Sequence, residues 1–169
     1  RFTPEELRTA ALAAPFDFTK GAPVLRYQAL PHAQRAPMQD GTGFVIGPDL
    51  VATNAHVVAG EESTELQRDD NQRVPAEVVA FDPNRDLAIL RAPGLDRAPL
   101  AIGTSGDKLT GGVFGHPGGG PLRISAFEVA RRIRALGRDI YGSSITSRDV
   151  LELRSALRPG DSGSALVDR

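Results

Sequence analysis

The stretch Thr53-Asn54-Ala55-His56-Val57-Val58 carries a histidine just after a short apolar run, Leu50 to Thr53. A run of this length and composition predicts a β-strand, and the end of a strand delivers the side chains that follow it to a cleft. Taken alone, His56 is more often a structural imidazole whose hydrogen bonds are satisfied by its neighbours. Its role therefore depends on the residues that accompany it along the chain.

Two more polar residues occupy comparable positions. Asp86 opens the apolar run Leu87 to Arg91, where an aspartate by itself is more often a turn or strand-start residue. Ser162 lies in Gly160-Asp161-Ser162-Gly163, a string that ordinary turns also use. Acyl transfer by a serine needs a hydroxyl, an imidazole that takes its proton and a carboxylate that orients the imidazole. One catalytic set of His56, Asp86 and Ser162 accounts for their order and flanking residues better than three unrelated roles.

A glycine two positions before Ser162 predicts an oxyanion hole. Because Gly160 has no side chain, the backbone can curl so that the N–H groups of Gly160 and Ser162 converge on one point. Such a pair of donors stabilises the negative oxygen that develops when a carbonyl is attacked.

Four stretches of the chain carry a family resemblance: Gly41-Thr42-Gly43-Phe44-Val45-Ile46, Thr53 to Val58, Asp86 to Leu90 and Gly160 to Gly163. Together they resemble the chymotrypsin-fold, or trypsin-like, serine peptidases, closest to the bacterial HtrA and MarP type, over about Gly41 to Asp168. The chain order His, Asp, Ser is that of this fold. The resemblance implies His56 as general base and then acid, Asp86 as its orienting carboxylate, and Ser162 as nucleophile. It also implies Ala156, six residues before the nucleophile, as the floor of the specificity pocket.

The rest of the sequence predicts an all-β fold. Eighteen glycines and thirteen prolines separate short β-type runs, the pattern of barrels and sandwiches. The predicted strands are Val24 to Leu30, Gly43 to Ile46, Leu50 to Thr53, Val74 to Phe81, Leu87 to Arg91, Leu109 to Phe114, Val150 to Leu153 and Ala165 to Val167. Gly47-Pro48-Asp49 and Asp82-Pro83-Asn84 are predicted turns. The spacing from Glu128 to Gly137 fits either a helix or an arginine-lined strand and loop.

The resemblance implies a chymotrypsin-like double six-stranded β-barrel. We expect an N-terminal helix and lead-in over residues 1–22, since Thr3, Pro4 and Glu6 form a helix start that predicts a helix through about Ala14. A first barrel over 23–100 would carry His56 and Asp86, and a second barrel over 101–169 would carry Ser162. The second barrel is expected to be incomplete, because relatives continue with at least two more strands whereas this chain stops at Arg169. We therefore expect the C-terminal remainder as a separate chain or as a tail beyond Arg169.

Composition argues against several other classes. The net charge of −1 gives no basic field for nucleic acid, and no apolar run is long enough for a membrane helix. Without cysteine, and with only His32, His56 and His116 as imidazoles, no metal site is predicted, and no cofactor is expected. The run Gly118-Gly119-Gly120 lacks the Lys-Ser or Lys-Thr of a phosphate-binding loop.

A local basic patch stands apart from this near-neutral composition. It consists of Arg131, Arg132, Arg134 and Arg138. The simplest interpretation is a solvated face or a contact with the N-terminal helix, and an anionic partner such as lipid headgroups or cell-wall polymer is the alternative.

Three stretches resemble the MarP type more specifically: Gly115 to Gly120, Asp139 to Gly142 and Arg148 to Val150. That type is an actinobacterial protease with a membrane-embedded N-terminal part and an extracytoplasmic protease domain. The likeness implies a location in the periplasm or cell envelope, with contact to the membrane only through a segment outside this chain. The expected function is a serine endopeptidase acting on polypeptide substrates. The alternative is a catalytically silent protease-fold protein that binds peptides or serves as a scaffold and is inactive because it is truncated.

Overall fold

The computed structural model describes residues 24–29, 40–61, 63–104, 106 and 108–168. The first half of this part of the chain forms a closed antiparallel barrel in the strand order β1-β2-β3-β6-β5-β4. The strands are β1 Val24–Ala29, β2 Asp40–Gly47, β3 Leu50–Thr53, β4 Thr64–Gln67, β5 Arg73–Asp82 and β6 Leu87–Arg91. One helical turn, α1 Ala55–Val58, follows β3 and carries His56.

The barrel is held by a branched-aliphatic core. Its cluster of buried side chains includes Val45, Val51, Leu66 and Leu90, all with no exposed surface. The predicted turn Gly47-Pro48-Asp49 joins β2 to β3 as a hairpin, in which Asp49 adopts the left-handed conformation at φ 55°. The Asp49 carbonyl accepts a hydrogen bond from Ala92 N–H at 2.8 Å, which ties this hairpin to the end of β6.

The second half of the described chain forms a four-stranded antiparallel sheet in the order β10-β7-β8-β9. Its strands are β7 Thr110–Gly115, β8 Arg123–Arg138, β9 Ile145–Ser155 and β10 Ala165–Asp168. The predicted all-β fold class is confirmed. The helix predicted at Thr3 to Ala14 lies outside the described residues. None of the helices in the described ranges is long and apolar enough to cross a membrane.

The ambiguous stretch from Glu128 to Gly137 is a strand. It lies within β8 and pairs with β9 along its whole length, with one irregularity between Val129 and Arg131. Burial alternates at its start, where Phe127 and Val129 are buried and Glu128 between them is exposed. Burial with a two-residue period is typical of a strand that has one face on a core. The pairing with β9 therefore selects the strand over the helix, a choice that the residue spacing alone left open.

The basic patch lies on this strand. The four side chains predicted to form it, Arg131, Arg132, Arg134 and Arg138, are all exposed. Arg131 pairs with Glu152 at 2.8 Å, and Arg134 donates to the Ser147 hydroxyl at 2.8 Å. Part of the positive charge is therefore balanced by β9, as a solvated strand face requires.

The barrel and the second sheet meet along β2. Phe44 packs against the cluster of Leu100, Phe114, Ala165 and Val167 and also against the cluster of Ile46, Ala52 and Ile89. Backbone hydrogen bonds reinforce this seam, since Leu100 N–H donates to Val45 O at 2.8 Å and Thr42 N–H donates to Ser162 O at 2.8 Å. The segment that carries Ser162 is thus fixed on the first barrel.

Candidate active site

His56 lies on α1 directly after β3. Its neighbours Ala55, Val57 and Val58 are buried in the barrel core, which fixes the turn and directs the histidine outward. The His56 side chain retains 42% of its exposure. The imidazole is therefore positioned by its neighbours and remains accessible to a ligand.

Asp86 contacts His56 through both carboxylate oxygens. The Asp86 Oδ2 atom is 2.8 Å from His56 Nδ1, and Oδ1 accepts a hydrogen bond from the His56 backbone N–H at 2.9 Å. An ionised carboxylate only accepts hydrogen bonds, so Nδ1 carries the proton and Nε2 presents a lone pair. The structure thus brings His56 and Asp86 together as predicted, in the arrangement by which a carboxylate orients a general base.

A neighbouring asparagine holds Asp86 in place. Asn54 Nδ2 donates to the Asp86 backbone carbonyl at 2.8 Å. Asp86 adopts the left-handed conformation, at φ 56°, which is uncommon for a residue with a side chain. The sequence analysis did not assign this role to Asn54, although the residue stands two positions before His56 in the stretch that led to the prediction.

Ser162 lies beside the strand end that delivers His56. Gly163 has φ 82°, and a side chain there would collide with the Thr42 carbonyl and the Thr53 hydroxyl and come 3.2 Å from Asn54 N. The chain after Ser162 is therefore packed directly against the start of α1. Among the described residues, no hydrogen bond joins the Ser162 hydroxyl to His56. A cavity of about 370 Å³ opens at this point, lined among others by Asn54, Leu157, Arg158 and Ser162.

A tight turn precedes the serine. Asp161 N–H donates to Arg158 O at 3.0 Å, and the Asp161 carboxylate accepts from Arg158 N–H at 2.9 Å. Gly160, at φ 95°, occupies the position that only glycine tolerates, since a side chain there would collide with Gly118 N. Within the part of the chain that the structure describes, neither the Gly160 nor the Ser162 N–H donates a hydrogen bond.

The residue predicted as the pocket floor lies at the edge of this region. Ala156 is exposed, just after the end of β9, and its carbonyl is 3.5 Å from the Ser125 hydroxyl. It is not among the residues that line the cavity beside Ser162, where Leu157 and Arg158 take part. Its assignment as the specificity floor stays a prediction. The described ranges contain no group of three or more His, Cys, Asp or Glu side chains that could hold a metal ion.

Comparison with known proteins identifies the family. The model of the family described as the trypsin-like peptidase domain matches residues 41–169. The chain belongs to the trypsin-like peptidase family. The match covers every stretch on which the resemblance was based, including those of His56, Asp86 and Ser162.

The curated relatives of this trypsin-like peptidase domain include bacterial proteases. "Serine protease Rv3671c" of Mycobacterium tuberculosis is 43% identical over 133 residues, which are 76% of this chain and 33% of that protein. "Probable periplasmic serine endoprotease DegP-like" of Chlamydia pneumoniae is 30% identical over 91% of this chain and 32% of that protein. The chain thus spans about a third of the length of these relatives. The predicted resemblance to the MarP and HtrA type is confirmed.

Solved structures agree with the sequence relatives. The active form of the Rv3671c protease from M. tuberculosis superposes with a TM-score of 0.81 at 37% identity, covering 89% of this chain and 67% of that one. The inactive form of the same protease gives a TM-score of 0.73 at 38% identity, over 86% of this chain and 71% of that one. The trypsin-like domain therefore shares the fold of these enzymes, and the predicted chymotrypsin-like fold is confirmed.

Proposed function

We propose that this domain is a serine endopeptidase that hydrolyses polypeptides through an acyl-enzyme on Ser162. The observation that carries the proposal is the contact between His56 Nδ1 and Asp86 Oδ2 at 2.8 Å, beside the turn that holds Ser162. This contact leaves His56 Nε2 as a proton acceptor on the side of the imidazole opposite Asp86. Relatives named as serine proteases support the same chemistry.

In the proposed reaction, the Ser162 hydroxyl attacks the carbonyl carbon of the scissile peptide bond and gives its proton to His56 Nε2. The N–H groups of Gly160 and Ser162 bind the resulting oxyanion, and each such donor is worth about 10²–10³ in kcat. His56 then protonates the leaving amine as the C–N bond breaks, which leaves the acyl group on Ser162. A water molecule, deprotonated by His56, hydrolyses the acyl-enzyme and restores the free hydroxyl.

Labelling with a fluorophosphonate tests the proposal, because the probe reacts with an activated serine. We expect the purified protein to be labelled at Ser162, as located by peptide mass spectrometry, and Ser162→Ala to lose both labelling and about 10⁶-fold of kcat. The matched control is Ser147→Ala, which removes an exposed hydroxyl on β9 and should retain both. Turnover by Ser162→Ala equal to that of the parent protein would disprove the assignment.

The second candidate function is a silent protease-fold protein that binds peptides. The observation that favours it is that the Ser162 hydroxyl has no hydrogen bond to His56 among the described residues. This candidate predicts that the folded protein binds peptides but is labelled no faster than Ser162→Ala. The two candidates therefore give opposite results in the same labelling experiment.

We further propose that the protein acts outside the cytoplasm, tethered to the membrane by a segment outside this chain. The name "periplasmic" among the DegP-like relatives supports the location. Protease protection in intact and permeabilised cells tests it: the protein should be degraded after the outer barrier is opened while the cytoplasmic membrane is still sealed. Protection in such cells would contradict the proposal.

A further inference from the structure

We infer that Thr42 is a positioning residue for the oxyanion hole, an inference that rests on the proposed function. Thr42 lies on β2 and has no exposed surface. Its hydroxyl donates a hydrogen bond to the Gly160 carbonyl at 2.9 Å and accepts one from the His116 backbone N–H at 2.9 Å. One hydroxyl thus links the first barrel, the turn before Ser162 and the glycine-rich loop after β7.

The backbone of the same residue holds the nucleophile. Thr42 N–H donates to the Ser162 carbonyl at 2.8 Å, and the Thr42 carbonyl accepts from the Thr53 hydroxyl at 2.8 Å. The two carbonyls that Thr42 binds therefore belong to Gly160 and Ser162. These are the two residues whose N–H groups are proposed to bind the oxyanion.

The Gly160 N–H is part of the peptide group before the Gly160 Cα, and its direction also depends on the peptide group after this Cα. The peptide group before it is fixed at the Pro159 carbonyl, which accepts from Gly118 N–H at 2.9 Å. The peptide group after it is held at both ends, because the Gly160 carbonyl accepts from the Thr42 hydroxyl and the Asp161 N–H donates to Arg158 O at 3.0 Å. Glycine at φ 95° has no side chain to restrict its backbone, so the hydrogen bonds to these two peptide groups set the orientation of the N–H. Loss of the Thr42 hydroxyl leaves the Gly160–Asp161 peptide held only by the Asp161 N–H, so the Gly160 carbonyl can shift and the Gly160 N–H loses part of its alignment.

A hydroxyl is required at this position because it must donate and accept at once. Valine has the shape of threonine but can do neither, so Thr42→Val leaves the buried Gly160 carbonyl and His116 N–H without partners. Serine restores both functions. The inference therefore predicts that the effect of substitution follows hydroxyl chemistry and not side-chain volume.

The experiment measures kcat and KM on a peptide substrate for the parent protein, Thr42→Val and Thr42→Ser. We expect Thr42→Val to lose about 10- to 100-fold in kcat with little change in KM, less than the ~10²–10³ for a whole donor. Thr42→Ser should restore kcat to within about threefold of the parent. Affinity for a peptidyl aldehyde, which forms a tetrahedral oxyanion on the serine, should fall in parallel with kcat, whereas affinity for a product peptide should not.

Two controls separate the possible causes. Thr64→Val replaces another buried threonine of the same barrel, on β4, and should lower Tm without changing kcat. If Thr42→Val does not fold, Thr42→Cys is compared with Thr42→Ser, since a thiol is similar in size to a hydroxyl but is a weak hydrogen-bond donor. The kcat of Thr42→Cys should then be about tenfold lower than that of Thr42→Ser at equal KM. Parent-like kcat in Thr42→Val, or in Thr42→Cys relative to Thr42→Ser, overturns the inference alone. A parent protein without Ser162-dependent turnover overturns the proposed function as well.

Discussion

At the scale of one residue, the carboxylate of Asp86 contacts both the backbone N–H and the imidazole ring of His56. Asp86 accepts from the His56 N–H through Oδ1 and contacts Nδ1 through Oδ2, while its own carbonyl is held by Asn54. The left-handed backbone at Asp86 is an unfavourable conformation that the surrounding hydrogen bonds maintain. Such strain is typical of functional sites, and here it turns the carboxylate back onto α1.

Replacing Asp86 by asparagine tests this assignment. Asparagine tolerates the left-handed conformation and keeps the size of the side chain, but it no longer fixes the proton on Nδ1. We expect Asp86→Asn to keep its fold and to lose about 10⁴-fold in kcat, the order found when a triad aspartate is changed in this way. Asp96→Asn is the matched control, because Asp96 is exposed and also left-handed at φ 49°. Equal kcat in the two variants would refute the role of Asp86.

At the scale of elements, the turn between β8 and β9 is organised by one aspartate. Asp139 accepts hydrogen bonds from the hydroxyls of Ser143 and Ser144 at 2.7 Å each and from the N–H groups of Tyr141, Ser143 and Ser144. The next residue, Ile140, packs on the core of the first barrel, and its N–H donates to Pro83 O at 3.4 Å. The β8–β9 turn thus braces the turn that leads to Asp86.

The hydrogen bonds of the Asp139 carboxylate predict that the stability of the fold depends on pH. The Ser143 and Ser144 hydroxyls, with backbone N–H groups, hold the pKa of this carboxyl well below its usual range. The contribution of the ionised Asp139 carboxylate to the free energy of unfolding is therefore complete above the unfolded-state pKa of about 4. This contribution is lost as the pH falls towards the lower folded-state pKa. We expect Asp139→Asn to lower the urea midpoint at pH 7, and the difference from the parent to shrink below about pH 4. Asp149→Asn, at an exposed site on β9, is the control. A difference independent of pH would contradict the prediction.

The elements that could be predicted from sequence are those whose own residues determine their structure. The run Leu87 to Arg91 is an apolar strand after a turn, and it forms β6 as predicted. The strand β4, Thr64–Gln67, was missed because Leu66 is its only large apolar residue. The stretch Glu128 to Gly137 could not be assigned, since pairing with β9 and not local spacing makes it a strand. Long-range pairing of this kind leaves little trace in a single sequence.

In the candidate site, too, local features can be predicted from sequence whereas long-range contacts cannot. The catalytic roles proposed for His56, Asp86 and Ser162 rest on residue type, order and flanking residues, which the sequence provides. The hydrogen bonds of Thr42 could not be predicted, because its partners Gly160 and His116 are 118 and 74 residues away along the chain. In the sequence, Thr42 is recognisable only as a member of the stretch Gly41 to Ile46, which resembles the family. Supporting contacts that join distant segments become visible only after the fold brings those segments together.

At the scale of the whole molecule, the proposed active site lies across the seam between the barrel and the second sheet. His56 and Asp86 belong to the barrel, whereas Ser162 lies on the segment before β10, so the seam sets the distance between acid–base group and nucleophile. Phe44 is the side chain that contacts the apolar clusters on both sides of it. Packing across this seam is therefore expected to affect catalysis as well as stability.

Replacing Phe44 by alanine separates this role from ordinary core packing. Because the ring bridges two clusters, we expect Phe44→Ala to lower the free energy of unfolding by about 3 kcal/mol, the lower end for a buried Phe. Fluorophosphonate labelling of Ser162 should slow under conditions where the variant is still folded, since the serine segment is no longer held against the barrel. Phe81→Ala, which removes a 37% exposed ring from β5, should cost less and leave labelling unchanged. If Phe44→Ala is destabilised but is labelled as fast as the parent, the seam supports the fold alone and the nucleophile is positioned by the hydrogen bonds of Thr42.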